Sequence, residues 1–217
     1  MRAWPVLVLL ASCASPPPPP PAAAGHPSVD LRAEVQAVLS RLESDFYRHW
    51  GAVEKTPAFA SLGPGHVPFL REIADANGDQ ALMAYRVLRR LAPGERFTDG
   101  ARAILYSSAL ERETNFARWG TLTKTGFLPA VYGDEALALG AELVPFLRNA
   151  LQDRRRALLQ GGPDEERANR IQGDRVCDYA WVLLATALHR PFAYEADPER
   201  RDYQIRDFDL WLDRPRR

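Results

Sequence analysis

Lys55 and Lys124 are the side chains whose type and spacing stand out first. The chain holds 28 Lys and Arg, and these two are its only lysines. They occupy the same place in two copies of one pattern. His49-Trp50-Gly51-Ala52-Val53-Glu54-Lys55-Thr56 is echoed further along the chain by Arg118-Trp119-Gly120-Thr121-Leu122-Thr123-Lys124-Thr125. A Trp offers a broad amphipathic contact face and a Lys a movable cation, a pairing frequent where proteins meet partners. Trp50, Lys55, Trp119 and Lys124 are therefore the candidate partner-binding residues. The alternative is that Trp-Gly wedges one unit against the next and the rest is shared descent.

Little else in the chain has the pattern of a chemical centre. There is no glycine-rich phosphate loop, no His-Glu-x-x-His, no Cys-x-x-Cys and no Gly-x-Ser-x-Gly. His26, His49, His66 and His189 stand at no metal-ligand spacing, so neither a metal nor a cofactor is expected. Cys177 lies in the apolar run Val176-Cys177-Asp178-Tyr179-Ala180-Trp181, where a small buried hydrophobe is the expected role. The carboxylates Asp197, Glu199, Asp202, Asp207, Asp209 and Asp213 alternate with Arg200, Arg201, Arg206 and Arg214. A glycosidase needs two carboxyls across a cleft, whereas this alternation predicts a solvated, ion-paired helix face. Asp153 to Arg156 is read in the same way, as a solvated helix end. No catalytic residue is assigned.

The elements that must carry these residues read as helices. Val35, Val38, Leu39, Leu42, Phe46 and Trp50 share one helical face from about residue 31, with Arg32, Glu34, Arg41 and Glu43 mostly off it. Helices are predicted over 67–76 and 80–91, divided by Asn77-Gly78, and over 101–112, 136–159, 176–188 and 200–212. No alternating strand pattern is evident.

A second echo orders these elements. Leu62-Gly63-Pro64-Gly65-His66-Val67-Pro68-Phe69-Leu70-Arg71 matches Leu139 to Arg148 at seven of ten positions. A fainter echo links Gly78–Phe97 with Gly173–Phe192. The order of the echoes is kept while their separation grows, the mark of a duplicated unit that gained insertions. Each unit would turn at Leu-Gly, place Pro in a first helical turn, and open its second helix at Gly-Asp, with Asp as N-cap.

Such a pair resembles the HEAT repeat, whose first helix often begins Leu-Gly, a few residues, then Val-Pro-x-Leu. Gly173-Asp174-Arg175-Val176-Cys177-Asp178-Tyr179-Ala180 is similar to the second helix of HEAT-like bacterial segments. The resemblance covers about 60–100 and 133–190. It implies an all-α fold, a short α-solenoid of HEAT-like helix pairs in two homologous units. Unit one spans about 31–97, unit two about 101–192, and a capping helix about 199–213, within a domain at 29–217. The polar insertion Gln152–Gln172 departs from the repeat and is expected to be a specificity-shaping loop.

The amino terminus is read as an address. Residues 1–12 carry one positive charge, then an apolar run too short to span a bilayer, then small residues. They lead into Leu10-Ala11-Ser12-Cys13, which resembles the lipobox of bacterial lipoproteins and implies lipidation of Cys13 and anchorage in the cell envelope. Ala14, in place of the Asp that retains such proteins in the inner membrane, implies the outer membrane. Pro16–Pro21 predicts a polyproline II tether within 13–28, about 3.1 Å per residue. With Cys13 acylated, Cys177 is left without a disulfide partner.

A formal net charge of zero gives no electrostatic case for nucleic acid. The expected function is a membrane-anchored, non-enzymatic scaffold or adaptor that binds a protein. The alternative is a binder of sugars or peptidoglycan fragments, or an enzyme, using the concave face of the array.

Overall fold

Val35, Val38, Leu39 and Leu42 recur at helical spacing along α1 (Leu31–Ser44), and all four are buried. The computed structural model describes residues 30–46, 52–124, 126–159 and 173–214. By its internal contacts Leu31–Arg217 forms one unit and Met1–Asp30 another, of which only Asp30 is described. Cys13, the polyproline run, His26, His49, Trp50 and most of the Gln152–Gln172 insertion lie outside the described residues.

The described chain is mostly helical. After α1 come a 3₁₀ turn at Val53–Lys55 and the short α2 (Pro57–Ala60), whose N-cap Thr56 accepts a hydrogen bond from the Phe59 N–H. Next are α3 (Val67–Asp75) and α4 (Ala81–Leu91), packed along each other and separated where Asn77 takes φ 51°. Asn tolerates this left-handed conformation better than most residues, so the terminator expected at Asn77-Gly78 is present. The next helix, α5 (Asp99–Arg112), begins at Thr98, whose side chain caps the Ala101 N–H.

Two expectations fail between residues 119 and 159. A two-stranded antiparallel hairpin, β1 (Gly120–Thr123) and β2 (Gly126–Pro129), pairs Gly120 with Pro129 and Thr123 with Gly126. Such short strands show no alternation in the sequence. The helix predicted over 136–159 is instead broken. It divides into α6 (Val131–Leu137), a 3₁₀ segment Gly140–Leu143, α7 (Val144–Leu147), and a second 3₁₀ segment Arg148–Gln152. Gly140, at φ 56°, interrupts the first stretch, and Pro145 lies in the first turn of α7. Asp153 to Leu159 then runs outside any helix rather than as a helix end, with Arg156 bridging to Arg175.

Helix α8 (Val176–Ala187) is buried at every position from Val176 to Ala185 and touches α6, the 140–152 segments and the last helix, α9 (Pro198–Leu212). Echoed positions are buried in both copies. Leu62 and Leu139, Leu70 and Leu147, Val87 and Val182, and Leu88 and Leu183 are all core residues. The Gly-Asp caps are not found. Asp79 is exposed and Gln80 takes the N-cap position of α4. Asp174 is buried and hydrogen-bonded by the Tyr194 hydroxyl, while Asp178 in the first turn of α8 accepts from the Arg175 N–H.

The face of α9 expected to be solvated also needs correction at one residue. Arg201 is fully buried, its Nε 3.3 Å from Asp178, which is itself fully buried. Its Nη1 donates to the carbonyls of Glu195 and Ala196, its Nη2 to that of Gly173, and its guanidinium lies over the Tyr194 ring. Elsewhere α9 fits the expectation, with Ile205 and Phe208 buried and Arg148 clamping Asp209 and Asp213.

Burial lifts the Asp174 carboxyl from its ordinary 3.8 to about 6, the Tyr194 hydrogen bond working against it and Asp178 with it. The folded state therefore holds this proton more tightly than the unfolded chain. The stability it contributes is complete below about pH 4 and is lost as pH rises through about 6. Two pKa units correspond to about 3 kcal/mol. In urea unfolding, wild type is expected to gain on Asp174→Asn by an amount approaching that figure between pH 7 and pH 4. A difference independent of pH would refute the assignment.

Candidate functional site

The structure separates the residues singled out by the repeated pattern. Trp119 is in the core, 1% exposed, so it offers no contact surface to a partner. Its ring packs edge-on against Tyr106 and Tyr132, and its carbonyl accepts the Ala130 N–H. Gly120 follows it at φ 132°, and a Cβ there would sit 2.3 Å from the Leu128 carbonyl oxygen. That is why Gly must follow Trp119: only glycine allows β2 to approach so closely. Lys55 ends the Val53–Lys55 turn and Lys124 lies at the hairpin turn, both exposed. Val53 and Leu122, which shortly precede the two lysines at matching positions, are both buried. The two copies thus share an inward anchor and an outward lysine on different backbones.

The concave feature lies elsewhere. The end of α1, the α3–α4 turn, the end of α5, the 113–118 segment and α6 enclose a cleft of about 520 Å³. Its lining includes Glu43, Asp79, Glu113, Arg118, Tyr132 and Arg155. A second cavity of about 430 Å³, lined by Arg32, Gln36, Ile73, Ala76 and Gln80 among others, also borders Glu43 and Asp79. Both volumes are in the range of small-molecule sites, roughly 300–1,000 Å³. The two cavities share Glu43 and Asp79, the waist of a groove made up of both.

Most charges along this groove are engaged by the protein. Arg32 pairs with Glu72 at 3.1 Å, and Arg112 reaches Asp79 at 3.4 Å and the Gly78 carbonyl at 3.1 Å. Arg155 pairs with Asp153 and donates to the Glu111 carbonyl. Arg118 lies over the Phe46 ring and donates to the Glu43 backbone carbonyl at 3.4 Å. The Glu113 carboxylate accepts from the N–H groups of Thr114, at 2.9 Å, and Asn115, at 2.8 Å, and from Trp119 Nε1 at 3.2 Å. Trp119 therefore serves this groove from behind, by fixing Glu113.

The Glu43 carboxyl accepts no hydrogen bond among the described residues. Its pKa is raised by burial, with Arg118 opposing and Glu113 and Asp79 adding to the shift. Burial also pushes the Tyr132 hydroxyl up to about 12, so it stays protonated near neutrality. Glu43 lies off the apolar face of α1 as expected, but nothing local in the sequence marks it. Asp79, Glu113 and Arg118 belong to distant parts of the chain, and only the fold brings them to it.

Cys177 is buried as expected, and burial raises its thiol to about 11, far from a reactive thiolate. Among the described residues no three His, Cys, Asp or Glu side chains gather as metal ligands, and no helix is long and apolar enough to cross a membrane. Compared with protein-family models, curated proteins and solved structures, the chain matches none.

Proposed function

We propose that this protein is a lipid-anchored binding module of the bacterial cell envelope, its mature body a short HEAT-like solenoid tethered through Cys13 to the outer membrane. The observation that carries the proposal is the shared burial of echoed positions in α3–α4 and in the 140–152 segments with α8. One pattern used twice, as the pair α3–α4 and as the 140–152 segments with α8, supports the reading of a stacked array, and such arrays present extended binding surfaces. Lys55 and Lys124 are the outward groups that both copies supply toward a partner. Trp119 supports from within, and Trp50 keeps its candidate role from the sequence alone.

Anchorage is tested by metabolic labelling with a radioactive fatty acid. Wild type is expected to incorporate the label and to sediment with membranes, and Cys13→Ala to lose both. Labelling that survives in Cys13→Ala would overturn the anchor.

The groove favours the alternative of a smaller ligand. Its volume and its half-buried Glu43 are features of a ligand site, and they suit a binder whether the ligand is free or part of a partner. Its lining is polar, and its aromatic ring, Tyr132, is almost wholly buried. Among the described residues it therefore lacks the exposed stacking platform a sugar would use.

A further inference from the structure

We infer that the groove recognises an organic cation, a primary ammonium or a guanidinium group, which the Glu43 carboxylate receives at the waist between the two cavities. The inference deepens the binding-module reading and rests on it for the nature of the partner.

A charge taken out of water is tolerated when it is paired and hydrogen-bonded. Along this groove the other charges largely meet that condition within the chain, the exception being the Glu111 carboxylate, which borders only the first cavity. Arg32, Arg112 and Arg155 hold its carboxylates or carbonyls. Glu113 is satisfied by three N–H groups and Asp79 by Arg112. Glu43 is half-buried and accepts no hydrogen bond among the described residues, although it borders both cavities.

The charged groups that face Glu43 are Arg118, Glu113 and Asp79, with Glu111, Arg112 and Arg155 further along the cleft and Arg32 along the second cavity. Arg118 supplies positive charge, and its hydrogen bond to Glu43 goes to the backbone carbonyl rather than the carboxylate. A ligand that brings a positively charged donor would complete the carboxylate. An anionic ligand would meet Glu43, Glu113 and Asp79 together and suffer like-charge repulsion. The raised pKa of Glu43 agrees, since a bound cation would relieve what burial imposes.

Two sources carry this chemistry: a free polyamine, or a lysine or arginine side chain in a partner's extended segment. Either is accommodated, since Glu43 borders both cavities.

The test is an NMR titration of the glutamate side-chain carboxyls, with Glu43 assigned by comparison with Glu43→Gln and ionic strength held constant. It is run on the free protein, then with cadaverine, with acetyl-Gly-Lys-Gly-amide, and with the isosteric norleucine peptide. A cation at Glu43 is expected to lower its titration midpoint by about one unit, a tenfold effect, while norleucine leaves it in place. A shift with cadaverine and the lysine peptide alike supports a free amine, and a shift with the peptide alone supports a partner's segment. An unmoved midpoint with both cations, or an equal shift with norleucine, overturns the inference. Glu43→Gln that still captures a protein partner in cells would then leave the binding module standing without this groove.

Discussion

Arg201→Ala is expected to lower the unfolding free energy by about 3–5 kcal/mol, the range for removing one partner of a buried ion pair. Arg201 and Asp178 are both fully buried, and the arginine also satisfies three backbone carbonyls. Removing it takes one of two cations from the Asp178 carboxylate, which keeps Arg175, and leaves those oxygens without their donor in a site water does not reach. The repeat supplies the control. In the echo of Gly78–Phe97 by Gly173–Phe192, Asp178 stands where the first unit has Met83, which is buried too. An apolar residue therefore suits that helix position, and the double variant Asp178→Met, Arg201→Met is expected to regain only the share of the loss that comes from Asp178, since the three carbonyls stay without their donor. Guanidinium unfolding of wild type, the two single Met variants and the double variant measures the coupling. A loss under about 1 kcal/mol in Arg201→Ala would contradict the account of α9 as a helix locked by a buried charge pair.

Trp119→Ala is the other large effect, about 3–5 kcal/mol for truncating a buried Trp. The ring is the meeting point of Tyr106, Tyr132 and Glu113, and its backbone anchors the entry to α6. The same experiment separates the core from the surface. Lys55→Ala and Lys124→Ala remove exposed side chains and are expected to change stability by less than about 0.5 kcal/mol. If Trp119→Ala were as mild as the lysine variants, the buried placement of its ring would be wrong and a surface role would return.

Features legible in the sequence are those set by interactions close along the chain. The apolar stripe of α1, the Asn77-Gly78 stop and the Pro positions of α3 and α7 are local, and each is found. The hairpin is not legible, because its signal is the need for glycine at Gly120, which arises only from the approach of Leu128. The segment 136–159 carries apolar residues at helical spacing, yet Gly140 and Pro145 divide it. Arg201 reads as solvated because an arginine among aspartates looks the same on either face of a helix. Its burial depends on Asp178, which belongs to the preceding helix. Lys55 and Lys124 are visible as an oddity of composition. Glu43 is not, because an unmatched carboxyl is defined by the neighbours it lacks in space.

Cys13, Trp50 and the lysines lead to one decisive measurement: in-cell crosslinking of the lipidated protein beside a folded Lys55→Glu, Lys124→Glu double variant. One discrete protein is expected to be captured by wild type and lost in the double variant, which would put the partner against the lysines that both units supply. Capture of nothing above background by either protein would contradict a binding module.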